Sequence, residues 1–63
     1  MADAIQRAKQ EADDAYRSKQ YAAAVAAYSR ALGLSEQQQR PDILHLLYSN
    51  RSAAKLALQD FTG

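Results

Sequence analysis

Few side chains in this sequence have the type and spacing that catalysis would require. His45 is the only histidine and cysteine is absent, so the usual ligands of a zinc site and the members of a Cys–His pair are missing. Asp13 and Asp14 are adjacent, which directs their carboxylates to different sides of a helix and prevents a facing acid–base pair. The serines have no general base at a spacing that would activate a nucleophile. The sequence therefore predicts a protein that is not an enzyme and uses no metal or cofactor.

Three polar residues near the amino terminus are spaced as on one face of a helix. Lys9, Asp13 and Tyr16 follow one another at intervals of four and three residues. Asp13 is an acceptor-only anion near neutral pH, so two interpretations remain open. It is either an exposed carboxylate that pairs with Arg17, or a group that selects a basic or amide-bearing ligand.

Composition limits both the size of the domain and the class of partner. A chain of 63 residues forms one small domain and buries only about 60% of the surface that its unfolded form exposes. The eight basic and seven acidic side chains are interspersed, which argues against steering toward nucleic acid or an anionic membrane. No apolar run has the length of a signal peptide or a membrane span. We expect a soluble, cytoplasmic protein.

The elements that carry these residues are predicted to be helices, because the chain is rich in alanine and has few helix breakers. Asp3 lies where a carboxylate complements the dipole of the first helix. Gly33 can adopt the left-handed conformation that ends the second helix, and Pro41 suits the first turn of the third. The prediction is an all-α chain with helices at about 3–19, 21–33 and 41–58, and a loop at about 34–40.

The second predicted helix has the most specific pattern. Ala24, Tyr28 and Ala31 recur at four- and three-residue intervals, which forms a face of small side chains interrupted by a phenol ring. This face predicts a helix that packs closely between others and contacts no ligand. The third helix carries more apolar surface than one neighbour can cover, which predicts a missing neighbour.

The two ends of the sequence are related by an internal repeat. Residues forty positions apart keep their small or aromatic character at each of three pairs except the first. Subtracting the six or so residues of the polar loop leaves a period near 34, typical of a helix-turn-helix repeat. A repeat of this kind is stabilised by stacking on its neighbours. The pairs are Ala8 with Tyr48, Ala12 with Ser52 and Tyr21 with Phe61.

These residues resemble the tetratricopeptide repeat (TPR) family. The resemblance is carried by the small and aromatic positions of the first two helices and by the run from Leu47 to Phe61, which is similar to the opening helix of a second repeat. It implies one TPR-type antiparallel helix-turn-helix repeat plus the first helix of the next, a fragment of a right-handed solenoid. The amino-terminal repeats of Hsp70/Hsp90 cochaperones, of the organising-protein or myosin-chaperone type, are most similar. The residues of the first two helices that carry the resemblance are Ala12, Tyr21, Ala24, Tyr28, Ala31 and Leu32.

The resemblance implies a protein-interaction module that serves as a cochaperone, adaptor or scaffold. Such cochaperones hold the acidic carboxyl-terminal tail of Hsp70 or Hsp90 with Lys and Asn side chains of successive first helices. By resemblance, Lys9 and Asn50 take these roles and Tyr16 lies in the same groove. Asp13 stands where the family has an asparagine and should repel a carboxylate, so we expect little tight binding of an acidic tail by this chain alone.

Structural interpretations stand beside these functional ones. Lys9 could be a solvated lysine, and Asn50 could hydrogen-bond to the first helix and hold the third against it. The whole chain could be a capping repeat that binds no peptide and self-associates through its third helix. A helix-turn-helix DNA reader is disfavoured, because the predicted loop is about twice the three or four residues of that motif.

Overall fold

The computed structural model describes residues 4–62, which form three helices and no strand. They are α1 (Ala4–Arg17), α2 (Tyr21–Gln37) and α3 (Pro41–Thr62). The prediction of an all-α chain is therefore confirmed over this range, whereas Asp3 and the predicted start of the first helix lie outside it. Helix α2 packs along both α1 and α3, which hardly contact each other directly. The arrangement leaves α1 and α3 as the two walls of a cleft whose floor is α2.

The two turns have the same length and the same hydrogen bonds. Each spans three residues, and its middle residue, Lys19 (φ 63°) or Gln39 (φ 53°), is left-handed. In the first turn the Lys19 amide donates to the Tyr16 carbonyl at 3.0 Å, and the next amide donates five residues back at 2.8 Å. In the second turn the corresponding distances are 3.2 and 3.0 Å. Both helices thus end in the Schellman arrangement, with a non-glycine residue in its left-handed position.

The prediction that α2 ends at Gly33 was wrong. Helix α2 continues to Gln37, Gly33 does not have a positive φ, and a Cβ added to it would meet nothing within 4 Å. The continuation is favoured because Ser35 extends the buried face, is fully buried, and donates its hydroxyl proton to the Ala31 carbonyl at 2.9 Å. The loop predicted at 34–40 is therefore the three-residue turn 38–40.

This short second turn removes one argument against a DNA-binding helix-turn-helix, which was the length of the loop. The interspersed charges remain the argument against that function. Helix α3 begins at Pro41, where the sequence places it, with Asp42 in its first turn. It continues to Thr62 instead of ending near residue 58. The longer helix carries the aromatic ring of Phe61 back toward the first turn.

The core consists mainly of small side chains. Six of its ten buried apolar residues are alanine, which permits close approach of the helices but buries little apolar area per residue. Tyr28 on α2 is the largest of them and is only 3% exposed. The packing face predicted for α2 is therefore buried. The ten residues are Ile5, Ala8, Ala12, Ala24, Ala27, Tyr28, Ala31, Leu32, Leu47 and Ala54.

Candidate functional site

A cleft of about 300 Å³ lies between α1 and α3. Asp13 and Tyr16 line it from α1, Asn50 and Ala53 line it from α3, and Tyr28 of α2 forms its floor. Three of the four residues that the resemblance places in a peptide groove, Asp13, Tyr16 and Asn50, are thus brought together, although Asp13 and Asn50 belong to different helices. Lys9, the fourth, does not line the cleft and lies one helical turn before Asp13.

Asp13 is held in place by two hydrogen bonds. The Lys9 ammonium donates to Oδ2 at 3.0 Å, and the Tyr28 hydroxyl donates to Oδ1. The side chains of Lys9 and Asp13 are 27% and 30% exposed, so the ion pair is partly shielded from solvent. The predicted pairing of Asp13 with Arg17 was wrong, since Lys9 and Tyr28 supply the direct donors. Arg17 contributes only its positive charge nearby.

The pKa values of Asp13 and Tyr28 are shifted in opposite directions. Partial burial acts to raise the pKa of Asp13, but the hydrogen bonds from Tyr28 and Lys9 and the charges of Lys9 and Arg17 outweigh it, so the pKa is lowered. Burial raises the pKa of Tyr28, and its hydrogen bond to the Asp13 anion raises it further. Near neutral pH, Asp13 is therefore a carboxylate that accepts a hydrogen bond from the neutral phenol of Tyr28.

Asn50 is the amide side chain in the lining of the cleft. It is partly buried, and its amide makes no side-chain hydrogen bond with residues 4–62. The hydrogen bond that would hold the third helix against the first is therefore not formed within that range. Asn50 thus brings one carbonyl acceptor and one amino donor group to the lining that it shares with Asp13.

Tyr28 is the site residue that the sequence did not indicate. Its position in the packing face of α2 predicted that it is buried and contacts no ligand. The structure confirms that Tyr28 is buried. Its hydroxyl instead reaches across to Asp13, fifteen residues earlier, and its side chain floors the cleft. The helical spacing could predict that Tyr28 faces inward, but the contact with Asp13 depends on how α1 and α2 pack.

Aromatic rings connect one end of the cleft to the end of α3. Tyr16 is 39% exposed and packs edge-on against Tyr21 with ring centres 5.4 Å apart. Tyr21 packs in the same manner against Phe61 at 5.9 Å. The row positions Tyr16 beside the cleft while leaving much of its ring accessible.

Helix α3 also exposes large apolar side chains outside the cleft. Leu46, Leu56 and Phe61 are 47%, 62% and 68% exposed. The excess of apolar surface predicted for the third helix is thus present on its exposed side. His45, on the same helix, is exposed as well.

Over residues 4–62, His, Asp and Glu side chains nowhere gather in a group of three that could hold a metal ion. Across the same residues, no helix combines the length and the apolar character needed to cross a bilayer.

Comparisons of the sequence with known protein families, with curated proteins and with solved structures find no match.

Proposed function

We propose that this chain is a protein-interaction module of the tetratricopeptide type, acting as a cochaperone or adaptor in the cytoplasm, and that it binds a peptide in the cleft between α1 and α3. The observation that carries the proposal is the cleft itself. It is open to solvent, has an aromatic floor in Tyr28, and presents polar groups from both walls, Asp13 on one and Asn50 on the other.

The helical arrangement supports this proposal. Two turns of equal length and equal hydrogen bonding separate three helices, and α2 packs on both of the others. A helix-turn-helix repeat followed by the first helix of a second repeat has this order of elements. Equivalent first helices, α1 and α3, then line one groove while α2 supports them.

The ligand that the resemblance implies is the acidic tail of Hsp70 or Hsp90. Lys9 would have to donate to the terminal carboxylate of such a tail, but its ammonium already donates to Asp13 at 3.0 Å. Asn50 remains available to donate its amide hydrogens. The proposal therefore includes the acidic tail as a weak ligand of this chain, because binding requires that Lys9 leave Asp13.

A peptide titration monitored by amide and side-chain NMR tests the proposal. Acidic peptides with a free carboxyl terminus, the same peptides with an amidated terminus, and a mixture of unrelated peptides are added up to millimolar concentrations. We expect shifts in the side-chain amide of Asn50 and the backbone of Tyr16 with at least one peptide. Shifts confined to other surfaces, or none with any peptide, would contradict the proposal.

A second candidate function is a capping repeat that self-associates through α3 and binds no peptide. The exposure of Leu46, Leu56 and Phe61 favours it, because self-association would remove these side chains from water. Sedimentation at several concentrations decides the question. The candidate predicts a dimer that Leu46→Ser or Leu56→Ser dissociates, and a strictly monomeric, folded chain at high concentration would rule it out.

A further inference from the structure

The chemistry of the cleft points to the type of side chain that it accepts. We infer that the cleft binds a cationic side chain, the ammonium of a lysine or the guanidinium of an arginine, presented by the peptide partner. This inference rests on the proposed peptide-binding function and specifies its ligand. It differs from the acidic tail that the resemblance implies.

Three residues of the cleft lining, Asp13, Asn50 and Tyr16, can interact favourably with a cation. Asp13 is the one formally charged lining residue, and its charge is negative. The Asn50 carbonyl accepts hydrogen bonds, and the ring of Tyr16, which is 39% exposed, can attract a cation electrostatically. No lysine or arginine lines the cleft, so a carboxylate entering it would meet Asp13 without a lining counter-charge.

The Asp13 carboxylate has room for a further donor. A carboxylate offers about four lone-pair sites, and the contacts with Lys9 and Tyr28 occupy one on each oxygen. The side chain is 30% exposed and lines the cleft, so an incoming cation can reach it. The Lys9 ammonium at 3.0 Å already illustrates the interaction that a ligand ammonium would make from the other side.

Lys9 sets the strength of this binding. Its charge, with that of Arg17 nearby, partly neutralises Asp13 and competes with a ligand cation. We therefore expect weak affinity from the cationic side chain alone, with the rest of the peptide supplying further contacts. Removing the Lys9 charge while keeping its aliphatic chain, as in Lys9→Met, should strengthen cation binding.

Small model compounds test the inference directly. The blocked amino acids N-acetyl-lysine methylamide, N-acetyl-arginine methylamide, N-acetyl-norleucine methylamide and N-acetyl-glutamate methylamide are titrated into the isotope-labelled chain at constant ionic strength. We expect the lysine or the arginine compound to shift the Asn50 side-chain amide and the Asp13 backbone more than the norleucine and glutamate compounds do. Comparison of the lysine and arginine compounds identifies which cation fits better.

A matched pair of variants assigns the effect to Asp13. Asp13→Asn should weaken cation binding by up to about fivefold, as expected for a partly exposed ion pair. Asp14→Asn removes the same charge from an exposed neighbour, which accepts a hydrogen bond from the Gln10 side chain at 3.4 Å. This variant should change binding much less. Circular dichroism of both variants verifies that they are folded. Because the Asn side-chain oxygen can still accept a hydrogen bond from the Tyr28 hydroxyl, we expect Asp13→Asn to retain the fold.

Three outcomes separate the inference from the proposed function. If the glutamate or norleucine compound shifts the NMR resonances of the cleft residues as much as the lysine and arginine compounds do, or more, the cation preference is overturned. The proposal of peptide binding would not be affected by that result. The inference alone would also be overturned if an acidic or unrelated peptide shifts the NMR resonances of the cleft residues and neither cationic compound does. No cleft shift with any compound or peptide would overturn both.

Discussion

Replacing Tyr28 with Phe tests the structural basis of the cleft, because it removes only the hydroxyl that donates to Asp13. The ring is retained, and its burial in the core, at 3% exposure, is unchanged. Asp13 then keeps Lys9 as its donor and loses the partner of Oδ1. The variant therefore isolates one hydrogen bond between α2 and α1.

The expected loss in the free energy of unfolding is about 1–2 kcal/mol. Hydrogen bonds to charged groups contribute about 1.5–3 kcal/mol, and Asp13 is partly exposed, so water can replace the lost donor and reduce the effect. This is a large fraction of the stability of a small domain, about 0.05–0.15 kcal/mol per residue. Tyr28→Phe should thus lower the denaturant midpoint visibly without unfolding the chain.

The stability difference between the wild type and Tyr28→Phe should depend on pH in a defined direction. The pKa of Asp13 is lowered from its ordinary 3.8, so its contribution is present above about pH 4 and is lost as the pH falls below it. The pKa of Tyr28 is raised from its ordinary 10.0, so its contribution is present below about pH 10 and is lost as the pH rises above it. The difference is therefore expected to be largest between these limits and to narrow outside them, at up to about 1.4 kcal/mol per pH unit for each group.

Urea unfolding followed by circular dichroism at about pH 3, 7 and 11 measures this difference. Tyr48→Phe is the matched control, because its hydroxyl donates to Glu36 at 3.3 Å on the exposed surface, and its removal should cost less than about 0.5 kcal/mol. Equal stability of Tyr28→Phe and wild type at pH 7, or a difference that does not vary with pH, would refute the assigned hydrogen bond.

Four further substitutions test the fold. Gly33→Ala should stabilise the chain by about 0.5–1 kcal/mol in urea unfolding, because Gly33 is inside α2 and an added Cβ would enter open space. A loss of stability would instead indicate that the helix ends there in a left-handed residue. Gln39→Gly should stabilise it by a few tenths to about 1 kcal/mol by relieving the positive φ, and no gain would argue against the Schellman end of α2. Leu47→Ala should lower the free energy of unfolding by about 2–5 kcal/mol and abolish most of the cooperative thermal transition, because Leu47 is fully buried. Leu56 is 62% exposed, so Leu56→Ala should stay within about 0.5 kcal/mol of wild type. Similar losses of stability for the two variants would place the core elsewhere.

The features that depend on helical periodicity could be predicted from the sequence. Ile5, Ala8 and Ala12 share one face by spacing alone, and all three are buried. The ends of the helices could not be predicted as well, because glycine is the usual left-handed residue and the chain instead uses Lys19 and Gln39. Ser35 carried a usable signal, since it continues the spacing of the buried α2 face, but its hydroxyl and polar neighbours suggested a loop.

The candidate site was predictable to the extent that its contacts are local. The four-residue interval between Lys9 and Asp13 permits an ion pair within one helix, and the structure has that pair at 3.0 Å. The approach of Asn50 and Tyr28 to Asp13 depends on the packing of three helices, which residue spacing does not encode. The hydrogen bond from Tyr28 to Asp13 therefore could not be predicted from the sequence.

The most direct test of the account is the affinity of Lys9→Met, relative to wild type, for the blocked lysine compound and for an acidic peptide with a free carboxyl terminus, both measured by NMR titration. If Lys9 competes with a cationic ligand for Asp13, the substitution strengthens binding of the lysine compound in the cleft and does not strengthen binding of the acidic peptide. Weaker binding of the acidic peptide with no gain for the lysine compound would contradict the account and identify Lys9 as a carboxylate ligand.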